Sequence, residues 1–221
     1  MRAMPRLLRV AAGLALLLGA AGCAEMRQAP PPPPPAGLVP AATADPLRAA
    51  LDAAAAAFAD RGAGLAGRPA EAAQALAQLE YVAATLPVDQ RYARLADSVG
   101  RDLILARDEA RDALGTMQAA PAAAVMRALL AAAARLRAGD AAGAAQALPA
   151  PLFRPGGAES VARLGELGPL PQTSVALLFA QQAVARIDAV AAGGSTRMVE
   201  TGFPLGPQTT NFEGAISSVG Y

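Results

Sequence analysis

The chain has no histidine, tryptophan or lysine, and it has one cysteine among 221 residues. Without histidine and lysine, the usual bases that activate a serine or cysteine nucleophile are missing. The most common protein ligands of zinc, copper and haem are scarce for the same reason, which leaves only carboxylate-based metal binding. Composition therefore argues against most hydrolases and metalloenzymes, and we predict a non-enzymatic protein without a metal or a cofactor.

Aromatic residues make up only 4% of the chain, and basic residues form no run. Aromatic stacking platforms and clusters of positive charge, which nucleic-acid-binding proteins use, therefore have little material here. Tyr81 and Tyr92 lie near apolar stripes and are expected in the core or at its boundary. We expect no nucleic-acid partner.

The single cysteine, Cys23, directly follows a short apolar run near the N-terminus. Arginines at positions 2, 6 and 9 precede this run, which extends from Val10 to Ala21, and Gly22 separates it from the cysteine. A basic start, a short apolar stretch and small residues before a cleavage point are typical of a secretory signal. With a thiol at the cleavage point, the segment resembles the lipobox of bacterial lipoproteins.

The resemblance implies that Cys23 receives a diacylglyceryl group, that residues 1–22 are removed and that the new N-terminus is acylated. Ala24, rather than aspartate, follows the cysteine, which in this family favours the outer membrane; we therefore expect an outer-membrane protein that faces the periplasm. Ala20 stands where the family usually has leucine. Ordinary secretion with cleavage after Ala24 is one alternative. A retained membrane helix is another, although about 12 apolar residues fall short of the ~20 needed to span a bilayer.

Six consecutive prolines, Pro30 to Pro35, predict an extended polyproline segment. Behind a lipid anchor this segment favours a spacer, and a ligand for a proline-binding partner is the alternative. We assign residues 23–43 to the lipidated N-terminus and this linker, residues 44–194 to a helical domain and residues 195–221 to a non-helical tail.

Apolar residues in the domain recur with the period of a helix, and no strand pattern stands out, so the sequence predicts an all-α, alanine-rich bundle of five to seven helices. Asp45-Pro46 and Pro69 are typical helix starts, and Gly115 and Gly139 are typical helix ends. The approximate predicted helices are 46–61, 69–86, 89–114, 121–138, 141–148, 159–167 and 173–192.

Residues 66–76 and 138–148 are similar, since each has a glycine, a short turn and an alanine-rich helix start. Both segments resemble the turn of a tetratricopeptide hairpin. Their separation is not a multiple of that family's 34-residue period, and the aromatic pattern of the family's first helix is missing. We therefore favour a non-repeat bundle over a repeat solenoid.

The densest charged region extends from Asp97 to Asp112, and the signs alternate along a predicted helix. Asp97 and Arg101 are four residues apart, as are Asp108 and Asp112, and paired carboxylates suit acid–base chemistry or cation binding. Alternating charges are more typical of a solvated helix face with pairs between residues i and i+4, which is the interpretation we favour.

The C-terminal segment from Ser195 to Tyr221 mixes scattered apolar residues with glycine, proline and threonine. Its two prolines exclude a helix around them. Phe203, Phe212 and Tyr221 are the candidate partner-binding residues, and residues 215–219 have a pattern that suits addition to a partner's sheet edge. A tail that wraps its own bundle, or a disordered tail, is the interpretation we favour.

These features predict a protein that is attached to the membrane by its lipid and acts as a scaffold or protein-interaction module, with an unknown protein partner. The alternative is a periplasmic module that binds a small ligand or lipid in an apolar pocket between alanine-rich helices. An enzyme is the third hypothesis, because the composition lacks most catalytic groups.

The variant Cys23→Ser tests the lipid anchor in a host with two membranes. Because serine offers no thiol for lipid transfer, we expect the variant to lose both labelled fatty-acid incorporation and fractionation with membranes. Wild-type protein from the same host is the control. Equal labelling and equal fractionation of the two proteins would contradict the lipoprotein interpretation.

Overall fold

This computed structural model describes the backbone of residues 33–199 and the side chains of residues 33–192. Seven α-helices follow one another in this described part of the chain. The same part contains no β-strand, and one isolated antiparallel bridge joins Thr116 to Phe153. The predicted all-α bundle is confirmed. The helices are α1 Pro46–Ala57, α2 Pro69–Thr85, α3 Asp97–Leu114, α4 Ala122–Arg137, α5 Ala141–Ala147, α6 Gly157–Gly165 and α7 Pro171–Val199.

Helix starts follow the chemistry that the sequence predicts. Asp45 accepts a hydrogen bond from the backbone N–H of Arg48 at 3.1 Å, and Pro46 occupies the first position of α1. Asp140 accepts in the same way from the backbone N–H of Gly143 at 2.7 Å. Each carboxylate satisfies an N–H group that has no partner within its own helix.

Helix α2 lies at the centre of the described bundle. Thirteen of its seventeen residues are buried, and its most extensive packing is against α4, followed by α1. A helix that is apolar on nearly all sides belongs in the interior. Fully buried alanines such as Ala77 on α2 and Ala133 on α4 allow the backbones to approach closely, although each contributes less buried area than a leucine would.

The chain before α1 packs onto α2. Leu38 is fully buried, and its carbonyl oxygen accepts hydrogen bonds from Nε2 of Gln74 at 2.8 Å and from Nε2 of Gln78 at 3.1 Å. Nε2 of Gln74 also lies 3.0 Å from the carbonyl oxygen of Gly37. The packed chain therefore begins near Gly37, upstream of the domain boundary that the sequence predicts at residue 44. Helical periodicity in the sequence does not reveal this contact. The contact consists only of the Leu38 side chain and of the hydrogen bonds that the carbonyl oxygens of Gly37 and Leu38 accept.

Helix α3 begins later than the sequence predicts. Residues 86–92 form two 3-10 turns where a continuous helix from Asp89 was expected. The Asp89 carboxylate accepts from the backbone N–H of Arg91 at 2.9 Å, and the Arg91 guanidinium binds Asp89 and also reaches Asp45 at 2.7 Å. This network holds Asp89 in extended backbone, with ψ at 120°, so that α3 starts only at Asp97.

The two similar segments occupy equivalent local positions. Gly67, with φ at +71°, precedes α2, and Gly139, with φ at +74°, precedes α5. Glycine adopts this left-handed conformation readily, which explains the shared motif. The likeness ends soon afterwards, because α2 has 17 residues and α5 has seven.

Glu109 of α3 holds the first turn of α7. Its carboxylate accepts from the backbone N–H groups of Gln172 at 3.2 Å and Thr173 at 2.7 Å, and from the Thr173 hydroxyl at 2.8 Å. That hydroxyl also lies 3.0 Å from the carbonyl oxygen of Ala106. A negative charge at a helix N-terminus is stabilised by the free N–H groups and by the helix dipole.

Helix α7 continues through Gly193 and Gly194, where the sequence predicts its end, and it reaches Val199. Residues 195–199 of the predicted non-helical tail are therefore helical, and the rest of that tail lies outside the described residues. Glycine inside a helix costs only about 1 kcal/mol relative to alanine, so two glycines do not force an end.

Contacts divide the chain into two units, the first extending to Val184 and the second starting at Ala185.

The variant Leu38→Ala tests where the folded domain begins. Removing a fully buried leucine should lower the free energy of unfolding by about 2–5 kcal/mol, as measured by urea denaturation. Val39→Ala is the matched control, because Val39 is only half-buried. If both variants unfold at the wild-type urea concentration, the segment before α1 contributes nothing and the linker extends to residue 43.

Candidate functional site

The residues that the sequence singles out for function lie outside the described part of the chain. Cys23 precedes residue 33, and Phe203, Phe212 and Tyr221 follow residue 199. Lipidation and partner binding at these positions therefore stay predictions. The described residues offer four other features that bear on function, which are a buried ion pair, a small apolar groove, a polar depression and a set of exposed apolar side chains.

A buried ion pair joins α2 to α3. Nε of Arg111 lies 2.6 Å from Oε1 of Glu80, and Nη2 lies 2.7 Å from Oε2, in a bidentate arrangement. The two side chains are only 3% and 4% exposed. Burial raises the pKa of Glu80 above its ordinary value of 4.5, and the hydrogen bonds from Arg111 oppose that rise. The cavity beside the pair has a volume of only about 10 Å³, which is too small for a substrate.

Arg111 also holds the loop that leads to α4. Its Nη1 donates to the carbonyl oxygens of Gln118 and Ala120, the latter at 3.0 Å. The predicted solvated face is thus wrong for Arg111, which points inward, and Glu109 is engaged with α7. A sequence signal for the pair exists, since Glu80 lies within the apolar stretch of residues 79–84 and, once buried, needs a cation as partner.

The paired carboxylates of the charged region do not share a site. Asp108 pairs with its neighbour Arg107 at 3.0 Å, and Asp112 accepts from the side-chain amide of Gln118. Asp97 lies exposed at the start of α3. Among residues 33–192, no group of three or more acidic side chains is placed to hold a metal ion.

A small apolar groove lies between the 3-10 turns of residues 86–92 and the first half of α3. It has a volume of about 290 Å³. Leu95 lies just before α3 and Val99 in its first turn, and both line this groove. Its lining is Leu86, Pro87, Tyr92, Ala93, Leu95, Ala96, Asp97, Val99, Gly100, Arg101, Leu103 and Ile104.

Gly100 of α3 and Pro87 approach each other closely in the groove lining. A Cβ at position 100 would lie 3.4 Å from Cβ of Pro87, which is van der Waals contact. Tyr92 and Leu103 are buried at its base, and the predicted core placement of Tyr92 and of Tyr81 is confirmed. The groove is at the lower limit of the size of small-molecule sites, which occupy roughly 300–1,000 Å³.

A polar depression of about 550 Å³ lies beside the end of α3. Two arginines and two carboxylates line it, which are Arg154, Arg163, Asp112 and Glu159. Nη1 of Arg163 donates to the carbonyl oxygen of Arg154 at 3.0 Å. Because the two signs of charge are balanced, the depression favours neither an anion nor a cation.

Large apolar side chains are exposed on two helices. Leu105 on α3 is 55% exposed, whereas Val175, Leu178 and Phe179 on α7 are 48%, 49% and 51% exposed. The segment Pro171–Ala192 is long and apolar enough to cross a membrane by length and composition alone, a test that core helices of soluble proteins also pass. Apolar clusters at a surface are typical of sites where a protein meets another surface.

Comparison with known proteins gives no assignment. No family model matches the chain, and no curated protein and no solved structure is significantly similar to it. Function must therefore be argued from the residues themselves.

The variant Arg111→Met tests the buried ion pair. It leaves the Glu80 carboxylate buried without a partner, so we expect the free energy of unfolding to fall by about 3–5 kcal/mol in urea denaturation. Arg107→Met is the matched control, because its partly exposed pair with Asp108 should contribute at most about 1 kcal/mol. Equal losses in the two variants would contradict a special role for the buried pair.

Proposed function

We propose that the protein is a membrane-tethered scaffold or protein-interaction module, anchored through lipid on Cys23 and without catalytic activity. The observation that carries the proposal is that the charged and the large apolar side chains of the described residues have different roles. Charged groups with good geometry hold the bundle together, whereas large apolar side chains remain at the surface.

The polar groups have structural tasks. Asp45 and Asp140 cap helices, Asp89 holds a 3-10 turn, Glu80 pairs with Arg111, and Glu109 binds the first turn of α7. The Arg91 hydrogen bonds lower the pKa of Asp89 below its ordinary value of 3.8, which is typical of a structural carboxylate and unsuited to a general base at neutral pH. This use of the carboxylates supports a non-enzymatic role.

The exposed side chains supply the contact surface. Leu105 stands on the outer side of α3, and Met117 follows that helix with 36% exposure. Each exposed leucine or methionine adds favourable free energy when a partner covers it, at roughly 25 cal/mol per Å² of apolar area. A tether in addition raises the effective concentration of the protein for partners at the same membrane.

Site-specific photo-crosslinking at position 105 in living cells tests this proposal. A photoreactive amino acid at position 105 should give a discrete band of higher mass, because Leu105 would lie in the partner interface. The matched control is position 146, where Gln146 is exposed on the short helix α5. Bands of equal intensity from the two positions, or none from position 105, would contradict a protein-interaction role for this face of α3.

The second candidate function is the binding of a small apolar ligand or a lipid, and the groove beside Gly100 favours it. Its apolar lining, with Asp97 and Arg101 among the lining residues, suits a molecule with one polar end. Native mass spectrometry of the purified protein distinguishes the two. A copurifying apolar molecule in stoichiometric amount favours ligand binding, and an empty protein with a specific crosslinked partner favours the scaffold.

A further inference from the structure

We propose that the outward face of α7, formed by Val175, Leu178 and Phe179, lies on the phospholipid bilayer and fixes the orientation of the tethered domain. This inference rests on the proposed lipid anchor for its setting. It assigns a phospholipid surface, rather than a protein, as the occupant of this face.

Helix α7 has apolar side chains on two opposite sides, and the bundle covers only one of these sides. Ala176, Leu177 and Ala180 are buried against the bundle. Val175, Leu178 and Phe179 recur at spacings of three and four residues on the opposite side, and about half of each side chain is exposed. A helix that is apolar on both sides needs a second apolar environment.

The whole segment shows the same excess of apolar character. The most apolar 18-residue window of Pro171–Ala192 has a mean hydropathy of 1.4, yet only 22% of that window is buried. Burial inside the domain therefore explains a minor part of its composition. The next residue on the outward face is Gln182, so that its first two turns expose no charge that a bilayer would have to desolvate.

The orientation of α7 is firmly set within the domain. Glu109 binds its first turn, Oγ of Ser174 donates to the carbonyl oxygen of Ala59 at 3.1 Å, and Nε2 of Gln181 donates to Oδ1 of Asp52 at 2.8 Å. These bonds come from the side that faces the bundle. Rotation of α7 to hide the outward face would break them, so the face stays available to an external surface.

The tether keeps that surface within reach. Leu38 is the first fully buried residue of the described chain, and it follows Cys23 by 15 positions. Because a residue spans at most ~3.6 Å, the domain cannot move more than about 50 Å from a lipid on Cys23. A bilayer is therefore an apolar environment that the tether keeps within reach of the domain, and an amphipathic helix face that meets it inserts shallowly at the level of the headgroups.

The absence of tryptophan from the chain allows a direct test. The variant Phe179→Trp places a single fluorophore on the outward face, and Ile104→Trp places one on α3, where Ile104 is 42% exposed and lines the groove. The chain from Cys23 onward is coupled through its one thiol to maleimide-bearing lipid in vesicles of phosphatidylethanolamine and phosphatidylglycerol. Chemical coupling makes the test independent of lipidation in the cell, and flotation of the vesicles verifies it.

Brominated phospholipid in the vesicles reports contact with the acyl region. We expect the Phe179→Trp protein to lose most of its emission and to shift to shorter wavelength, while the Ile104→Trp protein keeps its emission. Unquenched emission from the Phe179→Trp protein on floating vesicles would overturn the proposal and leave the face to a protein partner. Equal quenching of both variants would also overturn it, since the domain would then have no fixed orientation. The lipid anchor itself is judged by fatty-acid labelling, so its failure is distinguishable from failure of this inference.

Discussion

The arrangement of the described helices depends on the burial of Arg111 between α2, α3 and the loop before α4. Alanine-rich helix faces resemble one another at every turn, so their packing alone specifies the relative register of two helices weakly. The guanidinium of Arg111 adds directional bonds to Glu80 and to loop carbonyls, and those bonds depend on the relative register of α2 and α3. Alanine side chains allow the helices to pack closely, and the buried ion pair favours one relative position of the packed helices.

Features that arise from neighbouring residues were predictable from the sequence, and features that join distant residues were not. The starts at Asp45 and Pro69 and the end at Gly115 follow from capping chemistry within a single turn. The network around Asp89 that precedes α3 also includes a bond from Arg91 to Asp45, which are 46 residues apart. The pair of Glu80 with Arg111 spans 31 residues and turns a predicted surface position into a core position. Periodicity reports which side of a helix is apolar, but it does not report which charged residue finds a buried partner.

The same limit applies to the functional surfaces. Sequence reasoning placed the candidate partner-binding residues in the tail, where glycine and proline surround aromatic side chains. It missed the outward face of α7, because Val175, Leu178 and Phe179 are as apolar as the buried Leu177 between them. Only the three-dimensional arrangement separates the two sides. A protein with few chemically reactive residues can still have a defined role if its position and its exposed surfaces are controlled, and the tether and α7 are the elements that we propose control them.

The docking of Leu38 has a mechanical consequence. Tension applied through the N-terminal segment reaches the domain at Leu38 and the amides of Gln74 and Gln78, and hence acts on α2 before it acts on α1. Since α2 is the most deeply enclosed helix, the load is spread over the interior contacts instead of peeling an outer helix away. A pulling force on the N-terminal segment is therefore borne first by the most buried helix of the described bundle.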